Sequence, residues 1–68
     1  MKPTLRQMEY LVAVADTGTI SEAAVRTNVS QPSFSAQLKD MEEYLGAILV
    51  ERSRSGATLT PFGAVFVA

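Results

Sequence analysis

The groups in this chain best suited to chemistry are amides, hydroxyls and guanidiniums. Ser30-Gln31-Pro32-Ser33 places two hydroxyls and a carboxamide within four residues, followed by Ser35 and Gln37. A glutamine amide offers a donor and an acceptor together, the pattern that pairs with the major-groove edge of adenine. Arg52 and Arg54 supply fixed positive charge on a short stretch without acids. Asp40, Glu42 and Glu43 are the only clustered carboxylates. With no histidine and no cysteine in the chain, a catalytic site would have to use carboxylates, lysine or activated hydroxyls. Nothing around the three acids suggests an apolar pocket that would raise their pKa values, so they read as a solvated helix end. We expect no enzyme activity, no cofactor and no metal site, since zinc would have to be held by carboxylates alone.

These groups need elements to hold them. Thr4 with Gln7 three residues on has capping-box spacing, and Leu5, Met8, Leu11, Val12 and Ala15 follow at helical intervals. Thr17-Gly18 should end that first helix, because glycine takes the left-handed conformation cheaply. Thr19 with Glu22 forms a second capping box and opens a short helix through about Thr27, with Ile20, Ala23 and Ala24 facing inward. Asn28-Val29 is a tight connection, and asparagine tolerates left-handed geometry. Ser30 caps the third helix, with Gln31 and Pro32 in its first turn, where proline lacks only an N–H that is unpaired anyway.

Phe34, Leu38, Met41 and Leu45 cluster within about a sixth of a turn on this helix and form its core stripe. The opposite side carries Pro32, Ala36, Lys39 and Glu43, with Ser33, Ser35 and Asp40 on the flanks. Near the N-terminus that side is small and uncharged, which allows close approach to a groove floor, and a helix N-terminus presents free N–H groups to phosphate. After Gly46 the period changes. Ile48–Arg52 and Ala57–Thr60 suit two short strands joined by Ser53-Arg54-Ser55-Gly56. Thr60-Pro61 then caps a fourth helix that is still apolar at Val65, Phe66 and Val67. The predicted fold is mainly α: a winged helix-turn-helix with three helices, a two-stranded β wing and the start of a linker helix. Residues 1–60 are expected to form this winged helix-turn-helix domain, and 61–68 to begin a fourth helix that continues in a longer natural chain.

At 68 residues the chain supports one domain, near the lower size limit for a self-sufficient core, and no disulfide assists it. Its hydrophobic content of 47% is too high for a disordered segment. Apolar runs such as Leu11–Ala15 are too short to span a bilayer, and no signal-peptide region follows the N-terminus, so a cytoplasmic, non-membrane location is expected. The net charge of −1 is unevenly placed. Residues 23–39 carry Arg26 and Lys39 and no acid, and residues 52–68 carry Arg52 and Arg54 and no acid. Asp40, Glu42, Glu43 and Glu51 concentrate negative charge in residues 40–51. A polyanion can therefore bind one face only. Taken singly, Ser30–Ser33 is an ordinary helix cap and Arg52/Arg54 a solvated turn. Their fixed order favours DNA over the alternative, a winged-helix module for protein partners, which the acidic block would suit.

Ala23-Ala24, Val29-Ser30-Gln31-Pro32-Ser33-Phe34-Ser35, Gln37-Leu38, Glu42 and Leu45-Gly46 together resemble the N-terminal domain of LysR-type transcriptional regulators. So do Leu49-Val50-Glu51-Arg52 and Leu59-Thr60-Pro61-Phe62-Gly63. The resemblance runs from Leu5 to Gly63 without gaps. It implies a winged helix-turn-helix, a dimerising linker helix from near Pro61, and an effector-binding domain further on. It implies double-stranded DNA as partner, at an operator with an inverted repeat, and self-association into a dimer or tetramer. By position, Gln31, Pro32, Ser35 and Ala36 would face the groove. Arg6, Ser33, Gln37 and Lys39 would touch phosphate or the groove edge, and Arg52 and Arg54 would be wing contacts to backbone or minor groove. Ala36 stands where the family often has arginine, Thr27 where leucine is usual, and Thr58 where a basic wing residue is common. The DNA surface is thus less basic than is typical, and more reliance on dimer avidity is expected.

Overall fold

The computed structural model describes residues 4–67. The elements run α1 (Leu5–Thr17), α2 (Ile20–Arg26), α3 (Gln31–Leu45), β1 (Val50–Ser53), β2 (Gly56–Leu59) and α4 (Pro61–Val65). Each helix begins at the hydroxyl the sequence offers. Thr4 accepts from the Gln7 N–H while the Gln7 side chain accepts from the Thr4 N–H, completing the capping box of α1. Ser30 accepts from the N–H of Ser33 and Thr60 from that of Gly63. Thr19 accepts from the Glu22 N–H, but the reciprocal bond from the Thr19 N–H to Glu22 is not made. Instead the Thr19 N–H lies 3.5 Å from the Thr17 hydroxyl. The second capping box is half formed because the preceding turn already engages the Thr19 amide.

Gly18 and Gly46 take the left-handed conformation that ends α1 and α3, and Asn28 takes it in the α2–α3 turn with φ 63°. Thr27 ends α2, and its hydroxyl donates to the Ala23 carbonyl at 2.8 Å. That bond satisfies a polar side chain at a position where leucine was expected from the resemblance.

The core forms where the three helices meet. Phe34, Leu11, Leu38, Met41, Leu49 and Val14 are its largest fully buried apolar side chains, and Tyr10 stacks obliquely on Phe34 with centroids 4.8 Å apart. Buried Ala23 and Ala24 carry only methyl groups, so α2 can lie close to both of its neighbours. The α3 stripe follows the sequence reading, with Phe34, Leu38 and Met41 buried and Leu45 packed partly against them. The inward face of α1 does not. Its buried residues are Gln7, Tyr10, Leu11, Ala13 and Val14, whereas Leu5 is 78% exposed and Ala15 is also exposed. The helix is turned by about 100°, one residue, from the face that aliphatic spacing indicated. Gln7 and Tyr10 cause the shift, since each hides a mostly apolar body inside and a count of aliphatic residues overlooks them.

The wing is a two-stranded antiparallel hairpin with register Val50↔Leu59, Glu51↔Thr58, Arg52↔Ala57 and Ser53↔Gly56. Its loop is Arg54-Ser55 alone, shorter than the four-residue turn expected, because Ser53 and Gly56 pair with each other. The first strand also starts two residues later than predicted. Gly56 has φ 143° and sits against the Gly18 carbonyl, where any Cβ would collide. Ala57 N–H donates to that same carbonyl at 2.8 Å. The hairpin is thereby tied to the α1–α2 corner.

Candidate nucleic-acid interface

Side-chain hydrogen bonds hold α3 from opposite flanks. On one flank Gln37 is half-buried and its Oε1 accepts from Gln7 Nε2 at 3.0 Å. On the other, Glu42 Oε2 accepts from the backbone N–H groups of Leu49 and Val50 at 2.8 and 3.2 Å. Those are the residues that lead into β1, so the carboxylate fixes the wing to the helix. Between the flanks Gln31, Pro32, Ser33, Ala36 and Lys39 are exposed, and Ser35 is partly exposed.

The wing closes against this face. Ser35, Ala36, Lys39, Glu42, Val50 and Arg52 line one cleft between α3 and β1. Gln31, Arg52 and Arg54 line a second, with Thr19 and Ser21 at the start of α2. Arg52 stands between the two clefts and links the recognition face to the hairpin. Seven of the predicted contact residues (Gln31, Ser35, Ala36, Lys39, Arg52, Arg54 and, beside them, Pro32) thus belong to one continuous surface. Ser33 and Gln37 lie on the α1 side of α3, and Arg6 is exposed in the first turn of α1. That turn is drawn to the same flank by the Gln7–Gln37 bond.

Ala36 and Pro32 offer no donor or acceptor side chain, so they contribute shape. The helix N-terminus offers fewer backbone donors than expected. Pro32 has no N–H, Ser33 N–H is taken by Ser30 at 3.2 Å, and Phe34 N–H by the Ser30 carbonyl at 2.9 Å. Within that first turn, Gln31 N–H is the donor left without a protein acceptor among the described residues.

The charge pattern suits an anionic ligand. Among the described residues one ion pair forms, Arg26 with Asp16 at 3.5 Å, and both partners are well exposed. Arg6, Lys39, Arg52 and Arg54 therefore keep their charges free among the described residues. The negative block is partly diverted inward, since Glu42 is spent on the wing, while Asp40, Glu43 and Glu51 remain exposed. Among the described residues no group of three histidine, cysteine or carboxylate side chains is placed to hold a metal ion.

Sequence reading missed two of these features. By spacing, Glu42 falls among the solvated acids; the amides it serves lie 7 and 8 residues away, and no local spacing reports such a bond. The same spacing gives Gln7 a capping role alone. A polar residue one helical turn before Tyr10 and Leu11 on a buried face was the available signal.

A helix-turn-helix whose second helix is clamped between a first helix and a basic hairpin defines a winged-helix module with an open recognition face. Comparison with known proteins gives the family. Residues 5–64 match the family described as bacterial regulatory helix-turn-helix protein, lysR family, and the chain belongs to it. It is 45% identical over 62 residues to the HTH-type transcriptional regulator TfdS of Cupriavidus pinatubonensis, covering 91% of this chain and 21% of that protein. It superposes on the CbnR DBD–DNA complex with a TM-score of 0.85 at 42% identity, covering 94% of this chain and 74% of that one. The BenM DBD/catB site 1 DNA complex gives 0.83 at 39% identity, covering 93% and 70%. The chain spans about a fifth of the length of the curated relatives it matches.

Proposed function

We infer that this chain is the sequence-specific, double-stranded-DNA-binding domain of a LysR-type transcriptional regulator, with α3 in the major groove and the hairpin on the backbone or minor groove. The observation that carries this reading is the outward face of α3, small and uncharged near its N-terminus, held between two hydrogen-bonded flanks and bordered by four cations, Arg6, Lys39, Arg52 and Arg54, that are free of ion pairs among the described residues. DNA complexes of the similar CbnR and BenM domains support it. Gln31, Pro32, Ser35 and Ala36 face base edges in this reading. Arg6, Ser33, Gln37 and Lys39 contact phosphate or the groove edge, and Arg52 and Arg54 serve as wing contacts to backbone or minor groove. Residues 1–60 act as the reading domain and residues from Pro61 begin the helix through which two copies associate on an inverted repeat.

The domain acts by binding alone, without catalysis, and in the cytoplasm. The described residues contain no helix long and apolar enough to cross a membrane.

The test separates base reading from backbone attraction. Gln31→Ala removes a bidentate contact and is expected to flatten discrimination between sites by about 1–3 kcal/mol. Arg52→Ala is expected to weaken all duplexes alike and to make the slope of log K against log salt shallower by about one. Competition binding with matched and mismatched duplexes measures both. Unchanged discrimination by the Gln31 variant would remove that residue from the reading.

A further inference from the structure

Gln7 is the one buried polar side chain among the described residues, 2% exposed, and its hydrogen bonds have a fixed direction. The Thr4 backbone N–H can only donate, and it donates to Gln7 Oε1 at 3.0 Å. The oxygen end of the Gln7 amide is therefore settled, which leaves Nε2 as the end that faces α3. Nε2 can only donate, so the atom of Gln37 that meets it at 3.0 Å must be the oxygen. One backbone amide thus sets the sense of two side-chain amides in series. Gln37 is left with its NH₂ group, which has no protein acceptor among the described residues and is not buried.

We propose that Gln7 is a positioning residue that turns Gln37 into a pure hydrogen-bond donor toward a DNA phosphate. This deepens the proposed function and rests on it. A glutamine that reads adenine must present oxygen and nitrogen together. Gln37 has its oxygen committed to Gln7, so it cannot. A phosphate oxygen accepts only, and a lone, oriented NH₂ group suits it. The place in the fold agrees. Gln37 lies on the α1 flank of α3 with Ser33, and the first turn of α1 carries Arg6 beside Gln7 in sequence. A cation, a hydroxyl and an oriented amide donor then form the rim of the recognition face on that side. Gln37 fixes the register of α3 on the backbone and leaves discrimination to Gln31.

Gln7→Glu tests this without removing the cap. A glutamate at residue 7 still accepts from the Thr4 N–H, the ordinary capping-box arrangement, but it cannot donate to Gln37. The Gln37 amide should rotate to give its NH₂ group to the new carboxylate and present its oxygen outward, where it repels phosphate. Binding of this chain to a set of unrelated duplexes is measured for the unaltered protein, Gln7→Glu, Gln37→Leu and the double variant. Side-chain NH₂ exchange with solvent is followed by NMR in the absence of DNA. The expected result is that Gln7→Glu weakens binding to every duplex by about tenfold, with relative preferences kept. The same change in the Gln37→Leu background should cost much less. The Gln37 NH₂ protons, fast to exchange in the unaltered chain, should become protected in Gln7→Glu.

An equal loss in both backgrounds would assign the effect to the added charge and overturn the proposal. So would protected Gln37 NH₂ protons in the unaltered chain, or a change in sequence preference on Gln7→Glu. If the unaltered chain binds no duplex at all, the DNA reading falls and takes the proposal with it.

Discussion

Glu42 shows how a single side chain can tie the recognition helix to the wing. Its carboxylate accepts two backbone N–H groups, and both residues that donate them, Leu49 and Val50, are buried. Removing the acceptor leaves amides desolvated without partners, at about 1–3 kcal/mol. Glu42→Ala should therefore lower the urea midpoint by the equivalent of about 2 kcal/mol and weaken DNA binding through a loosened Arg52. Glu42→Gln keeps an acceptor oxygen and should recover most of both. If alanine were as stable as the parent chain in urea denaturation, the carboxylate would not be holding the wing. At this scale the sequence was legible where function depends on local spacing. Ser30, Gln31 and Pro32 could be placed from the cap alone. Glu42 and Gln7 could not, because their partners come from other elements and are brought near only by the fold.

Element boundaries followed from capping chemistry, since each helix starts at a threonine or serine that accepts an N–H of its own first turn. The facing of α1 did not follow, because the residues that turn it inward are a glutamine and a tyrosine with polar ends. The wing was anticipated in type and place but not in register, which depends on Gly56 fitting beside the Gly18 carbonyl. Asn28 gives the sharpest test at this scale. Its φ of 63° sets the angle between α2 and α3. Glycine takes that conformation without strain, while a β-branched residue resists it. Asn28→Gly should leave the thermal midpoint nearly unchanged, and Asn28→Val should cost about 1–2 kcal/mol. Equal midpoints for the two would mean that the turn relaxes to another geometry. α4 closely approaches Leu49, the residue before β1, at Gly63, where an added Cβ would meet the Leu49 carbonyl oxygen. That contact, with the Thr60 hydroxyl donating to the Ile48 carbonyl at 2.7 Å, fixes the direction of α4.

The whole molecule depends on a small core that no disulfide reinforces, since the chain has no cysteine. Domains of this size rarely draw more than about 3–5 kcal/mol from a single core, and truncating a central phenylalanine costs about that much. Phe34→Ala should therefore abolish the cooperative thermal transition followed by circular dichroism; a variant that still melts sharply would show a larger reserve than this core suggests. Net charge is −1, yet the recognition face is bordered by cations free of ion pairs among the described residues, because the one ion pair there lies elsewhere and Glu42 is engaged inside. The separation of charge was legible from the sequence, while the reason it survives folding was not. A face that reads DNA must bind duplexes both salt-dependently and selectively. The most direct measurement is retention of a random duplex pool by the chain across a salt series, with sequencing of the bound fraction. If Arg6, Lys39, Arg52 and Arg54 all meet phosphate, log K should fall against log salt with a slope of about −3 to −4, and one short motif should be enriched. Salt-insensitive retention with no enriched sequence would contradict the account.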